Sequence, residues 1–221
     1  MDETSKTRAV WGALERSVLA GSGIDIGCGR DPVTPDVRRF DVADGDANEI
    51  TRYVHEEFDF VYSSHCLEHM RDPRAALRDW WQLVRPGGHL FFIVPDEDLY
   101  EQGVFPSRFN GDHTATFTIS KAQSWSPVSC NVLDLARELP GGDLVSLALQ
   151  DHGYDRRLLR HGPANAPGPL LRLVMRGSRA LQRRGYGTGA LDRIITRRAA
   201  IDQLHRPGVL AQIQCIVRKR A

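Results

Sequence analysis

The stretch Ile24-Asp25-Ile26-Gly27-Cys28-Gly29-Arg30-Asp31-Pro32 carries the first decision about this chain. Ile24 to Ile26 is a short apolar strand, and it runs without a spacer into a turn whose glycines permit backbone conformations that a β-carbon forbids. In an open α/β sheet, ligands bind where loops leave the carboxyl ends of the strands, and a glycine-rich first loop lets a ligand come close to the backbone. Glycine turns after strands are common, so the reading depends on the surrounding sequence.

Outward from that turn, helical and extended patterns alternate. On the amino side, Val10, Trp11, Leu14 and Val18 recur at offsets of three and four, which predicts one leading helix over residues 5–19, stopped by Gly21-Ser22-Gly23. On the carboxyl side, Val37 to Asp41 reads as a second strand ending on a carboxylate, with Asp44-Gly45-Asp46-Ala47 as a tight turn. Phe58 to Tyr62, rich in aromatic and β-branched residues, is a third strand. Asp72-Pro73 suits a helix start, because Asp72 can cap and Pro73 is tolerated at the first helical position. Leu77, Trp80, Trp81 and Val84 give that helix an apolar face, and Arg85-Pro86-Gly87-Gly88 ends it. His89 to Val94 is the near-continuous apolar run of a parallel strand covered on both faces.

Leu144 to Leu149 and Gln212 to Arg218 are further strand candidates; in the second, Ile213, Cys215 and Val217 alternate with polar residues, with Ile216 as the exception. The alternation of strands and helices predicts an α/β fold, a doubly wound Rossmann-like sheet with helices on both faces. Only about ten residues separate the first loop from the second strand, too few for a full helix with its connections, so the first crossover is expected to be shortened.

Composition bounds the rest. The 221 residues are 41% hydrophobic and 26% charged, as in an ordinary globular chain, and are expected to form a single domain over 1–221. Cys28, Cys66, Cys130 and Cys215 lie far apart with no zinc-type spacing, which suits a reducing, cytoplasmic setting. Residues 1–8 are polar and charged, unlike a signal peptide, and the longest apolar run, Leu90 to Val94, cannot span a bilayer. The formal charge of +1 conceals an asymmetry: residues 156–206 hold twelve arginines against Asp192 and Asp202, a net of +10 that leaves about −9 for the remainder. This basic segment is expected to be a helical insertion. It could be a solvated face, or it could meet phosphates of a linked glycan or a membrane surface.

The ordered set IDIGCG (24–29), FD (40–41), GDA (45–47), FDFVYSSHCLEH (58–69) and LVRPGGHLFFIVP (83–95) resembles the class I S-adenosylmethionine (SAM)-dependent methyltransferases, in particular the type 11 group, over about residues 20–120. The resemblance implies SAM as cofactor. It implies that Gly27, Cys28 and Gly29 wrap its methionine part, with Asp25 helping to hold the amino-acid end; that Asp41 holds the ribose hydroxyls; and that Asp46 with Ala47 contacts adenine. An ionised carboxylate can accept from both hydroxyls of a ribose at once, which suits Asp41 independently. Ser63 and His65 are expected to face the methyl end, and Glu68 and His69 to tie their loop to the next helix. The family's usual third glycine is replaced by Asp31-Pro32. Nicotinamide-dependent dehydrogenases share the glycine loop and the acidic strand end, but the Leu-Glu-His and Arg-Pro-Gly-Gly-His motifs resemble methyltransferases. A metal site is not expected: His65, Glu68 and His69 qualify on count alone.

The polar segment from Pro95 to His113 follows the strand His89 to Val94 and reads as a substrate loop; it bears a looser resemblance to methyltransferases of bacterial polysaccharide and glycan modification. His113 is the preferred general base for a hydroxyl acceptor, since a neutral imidazole accepts a proton near neutral pH, and His65 is the second candidate. The expected acceptor is a sugar or glycan hydroxyl, phosphate-bearing if the arginines serve it; a small natural product or a nucleoside is the alternative. A SAM-binding regulator or partner subunit is the non-catalytic rival. A nucleic-acid partner is not expected, because neither an Asn-Pro-Pro-Tyr-type motif nor an RNA-binding module is present.

Overall fold

A computed structural model describes residues 3–159 and 202–221, together with Leu173, Gly177 and Leu181. Its centre is a six-stranded sheet formed by β1 (Gly23–Ile26), β2 (Arg38–Phe40), β3 (Phe58–Ser64), β4 (Val84–Pro95), β7 (Gly142–Gln150) and β8 (Gln212–Lys219), in the order β2-β1-β3-β4-β8-β7. β2, β1, β3 and β4 are mutually parallel, whereas β8 runs antiparallel to both neighbours. β1 and β2 are joined without a helix, so the shortened first crossover is present.

Side-chain alternation assigns each strand residue to a face. Ile24, Ile26, Val61, Leu90, Phe92 and Val94 point to one face, where α3 (Pro73–Gln82) and α4 (Val132–Arg137) lay Leu77, Trp80, Trp81 and Leu135 over them. Phe60, Tyr62, Phe91 and Ile93 point to the other, under α1 (Glu3–Arg8) and α2 (Ala13–Val18). α3 starts as its sequence predicts: the Asp72 carboxylate accepts from Arg74 N at 3.0 Å and Ala75 N at 3.1 Å, with Pro73 in the first turn.

The single leading helix expected over 5–19 is instead two short ones. Gly12 is extended and its amide donates to the Glu15 carboxylate at 2.9 Å, opening α2. The break lets Trp11 drop into the core against Tyr62 and Phe91, with ring centroids 6.0 and 5.4 Å away. The helical insertion expected at 156–206 lies, over 160–201, almost wholly outside the described residues. No helix among the described residues is long and apolar enough to cross a membrane.

A small parallel pair, β5 (Thr116–Thr118) with β6 (Ser129–Asn131), closes the carboxyl edge of the sheet, bridged to β4 through Asp96 and Phe117. The loops after β1, β3 and β4 therefore converge on one edge.

Candidate active site

The first loop leaves β1 with Gly27 at φ +76°, and a β-carbon there would sit 2.6 Å from Cys66 Sγ. Only glycine allows the loops after β1 and β3 to approach this closely. Gly29 N donates to Asp41 Oδ2 at 2.6 Å and Val42 N to Asp41 Oδ1 at 2.7 Å, so the carboxylate at the end of β2 is aimed across the glycine turn. Asp31-Pro32, standing where a third glycine would be, anchors α1: Asp31 accepts from Ser5 N and Ser5 Oγ, both at 2.6 Å.

Among the described residues, three cavities open along this edge. The largest, about 610 Å³, is walled by Phe40, Val42, Ala47 and Met70, with Asp41 and Asp46 on its rim. A second, about 350 Å³, lies over Gly27, Cys28 and Gly29. The third, about 300 Å³, is lined by Glu68, His69, Tyr100 and His113 together with Glu3 and Asp202. His65 borders all three. Its backbone is left-handed at φ +54°, a conformation rare enough outside glycine to mark a position held by its surroundings.

The expected site residues do not all gather here. Gly27, Cys28, Gly29, Asp41, Asp46, Ala47 and His65 line the first two cavities. Asp25 and Ser63 line none of the three. Asp25 is 1% exposed and accepts from Val33 N at 2.7 Å; burial pushes its pKa up to about 7. Ser63, equally buried, donates to the Ile26 carbonyl at 2.9 Å. Both hold the loops from beneath. Asp46 caps the turn Ala47–Arg52 through Asn48 N and pairs with Arg71 at 3.1 Å.

His65, the second candidate base, has an acceptor facing each ring nitrogen. Nδ1 faces Glu68 Oε1 at 3.3 Å and Nε2 faces Gln212 Oε1 at 2.9 Å. The orientation of Gln212 is fixed because its amide nitrogen donates to Thr7 Oγ1 at 2.9 Å and Gln150 Oε1 at 2.7 Å. Both ring nitrogens thus meet acceptors, which only the doubly protonated imidazolium satisfies. Burial by itself would lower the pKa, but the Glu68 hydrogen bond and charge, with Gln212, outweigh it and push it up to about 9.

His113 is placed differently. It is 5% exposed, with Nδ1 against Glu101 Oε1 at 2.6 Å and Tyr100 stacked on the ring at 5.2 Å. The carboxylate makes Nδ1 the donor, and Nε2 lies 4.0 Å from Glu68 Oε1. Glu101 was not legible as a partner, since it sits in a run of acidic residues with nothing to distinguish it. Glu68 also departs from expectation: its backbone carbonyl ties the loops, accepting from Thr114 N at 2.8 Å, while its side chain, 1% exposed, faces the imidazoles. Burial pushes the Glu68 pKa up, yet His65, His113 and His69 reverse this, so it is lowered overall. Of the acidic residues after β4, Asp96 caps the turn Glu97–Glu101, accepting from Leu99 N at 3.0 Å, and Glu97 is enclosed by Thr116, Lys121, Ser124 and Ser129.

A family model for a methyltransferase domain matches residues 8–127. No curated protein matches the chain. Among solved structures, it is similar to a candidate methyltransferase from Bacillus halodurans at a TM-score of 0.50 and 11% identity, over 94% of this chain and 97% of that one. It is similar to a candidate sarcosine dimethylglycine methyltransferase from Galdieria sulphuraria at 0.51 and 15%, over 99% and 84%. A coclaurine N-methyltransferase, solved with N-methylheliamine and S-adenosylhomocysteine (SAH), gives 0.50 and 14%, over 93% and 68%. At such identities the likeness is one of fold.

Proposed function

The chain belongs to the methyltransferase-domain family, and from that premise we propose that it moves the methyl group of SAM to a hydroxyl of a sugar or glycan, with His113 as general base. The residues present fit the donor. The largest cavity offers apolar walls for a flat base, including Val42, which is 91% exposed at its mouth. Asp41 supplies an anionic acceptor for a ribose diol, and the glycine loop supplies close backbone approach. When bound, SAM supplies an electrophilic methyl carbon.

Everything else falls to the chain itself. Methyl transfer requires the acceptor oxygen to be held in line with that carbon, and the third cavity meets the donor cleft at His65. Its walls carry hydrogen-bonding groups on several sides, Glu3, Asn110 and Asp202 among them, as a polyhydroxylated ring requires. As the new carbon–oxygen bond forms, the hydroxyl proton passes to His113 Nε2, and Glu101 stabilises the resulting imidazolium through Nδ1. The observation that carries this reading is the Glu101–His113 pair at 2.6 Å, with His113 lining the cavity that adjoins the donor cleft.

The test is transfer of labelled methyl from SAM to sugar, small-metabolite and nucleic-acid acceptors. Sugar acceptors should be labelled, and His113→Ala should lower kcat by about 10²–10⁴-fold while leaving SAM affinity nearly unchanged. Full turnover in a folded His113→Ala protein would remove the base, and label confined to non-sugar acceptors would remove the substrate class.

A further inference from the structure

Glu68 and His69 follow β3, whereas His113 lies more than forty residues later, yet one candidate ligand atom from each lies within 4.8 Å of the others. The approach is fixed by backbone and hydroxyl bonds: Thr114 N reaches the Glu68 carbonyl at 2.8 Å, and Thr114 Oγ1 reaches the Met70 carbonyl at 2.6 Å. We propose that Glu68, His69 and His113 form a binding site for a transition-metal dication of the zinc class, and that this ion competes with the proton for His113 Nε2.

Each imidazole is already oriented as a metal ligand needs. His69 Nδ1 donates to the Asp112 carbonyl at 3.2 Å, and His113 Nδ1 donates to Glu101 at 2.6 Å, so each ring keeps Nε2 as its lone-pair nitrogen. Ligating histidines typically show this outer partner, a carbonyl or a carboxylate, which fixes the tautomer. Glu68 supplies the second, independent observation. It is 1% exposed, and its Oε2 has no hydrogen-bond partner among the described residues, a costly state for a buried carboxylate oxygen. Two imidazoles and one carboxylate suit zinc, cobalt or nickel, whereas magnesium and calcium favour all-oxygen shells. Ligand bonds of about 2.0–2.2 Å place tetrahedral ligand atoms about 3.3 Å apart; the 4.0 Å between His113 Nε2 and Glu68 Oε1 requires only a small side-chain adjustment. The remaining coordination position opens into the third cavity.

The functional consequence rests on the proposed role of His113. One lone pair cannot hold a metal ion and accept the acceptor's proton together, so the ion acts as an inhibitor of methyl transfer.

The test uses the whole chain after exhaustive EDTA treatment, with no SAM or acceptor present. Titration with cobalt(II) should give visible absorption bands saturating at one ion per chain, and zinc should displace it. Glu68→Gln and His69→Ala should each weaken binding at least tenfold; His69, only partly buried, is the variant that spares the fold. Absence of 1:1 binding, or unchanged affinity in folded His69→Ala and Glu68→Gln proteins, overturns the site. In turnover assays, stoichiometric zinc should abolish activity and EDTA restore it; turnover that requires zinc overturns the competition. A failed base assignment appears separately, as undiminished turnover of metal-free His113→Ala, while the cobalt titration still reads the site.

Discussion

The Asp25 carboxyl lies sealed beneath the first loop, with Val33 N as its donor, and Asp31 and Asp41 nearby oppose its ionisation while Arg39 favours it. Burial is the largest effect and raises its pKa from 3.8 to about 7. The folded state therefore holds this proton to higher pH than the unfolded state does, and the group's contribution to stability falls as pH rises from about 4 to about 7. Asp25→Asn keeps an acceptor for Val33 N and carries no charge. Urea unfolding at pH 5 and pH 8 should show the wild type losing stability relative to Asp25→Asn at the higher pH; a difference independent of pH would mean that Asp25 is ionised normally. Sequence reasoning could bring carboxylates and glycines to this edge because they follow the strand ends directly in sequence. It could not distinguish Asp25 and Ser63, which hold the loops, from Asp41, which borders the cavity, because that depends on which face of a strand end is covered. His65 shows the same limit. Its pKa is raised first by Glu68, three residues on, but also by Gln212, which is 147 residues away.

Among the elements, α3 was the most legible, since its cap, first-turn proline and apolar face are all local. Asp72→Ala should cost about 0.5–2 kcal/mol, measured by urea unfolding, with little effect on SAM affinity; a loss below 0.3 kcal/mol would show that packing of Trp80 and Trp81 alone sets the helix start. The leading helix was misread because Trp11 fits the helical spacing but is needed by Tyr62 and Phe91, a tertiary demand invisible to periodicity. In β8 the polar residues of the alternating pattern are covered: Gln212 and Gln214 are 1% exposed, and Gln214 donates to Glu15 of α2 at 2.9 Å. Polar strand residues here are partners for the covering helices, and through Gln212 they also fix the orientation of His65.

For the whole chain, the parallel arrangement of β2, β1, β3 and β4 brings three loops to one edge, and that placement makes the cavity proposed for the donor and the cavity proposed for the acceptor neighbours. The order of motifs made the sheet and the family legible; the cluster of Glu68, Glu101 and His113 was not, because these residues meet only after folding. The proposed placement of SAM over Gly27–Gly29, with its ribose on Asp41, is tested by calorimetric titration of SAM and SAH into wild type and Asp41→Ala. Both ligands should bind the wild type 1:1 and lose at least tenfold in affinity in the variant, since a charge-assisted hydrogen bond contributes about 1.5–3 kcal/mol. Equal affinities in the two proteins, or preference for NAD over SAM, would contradict it.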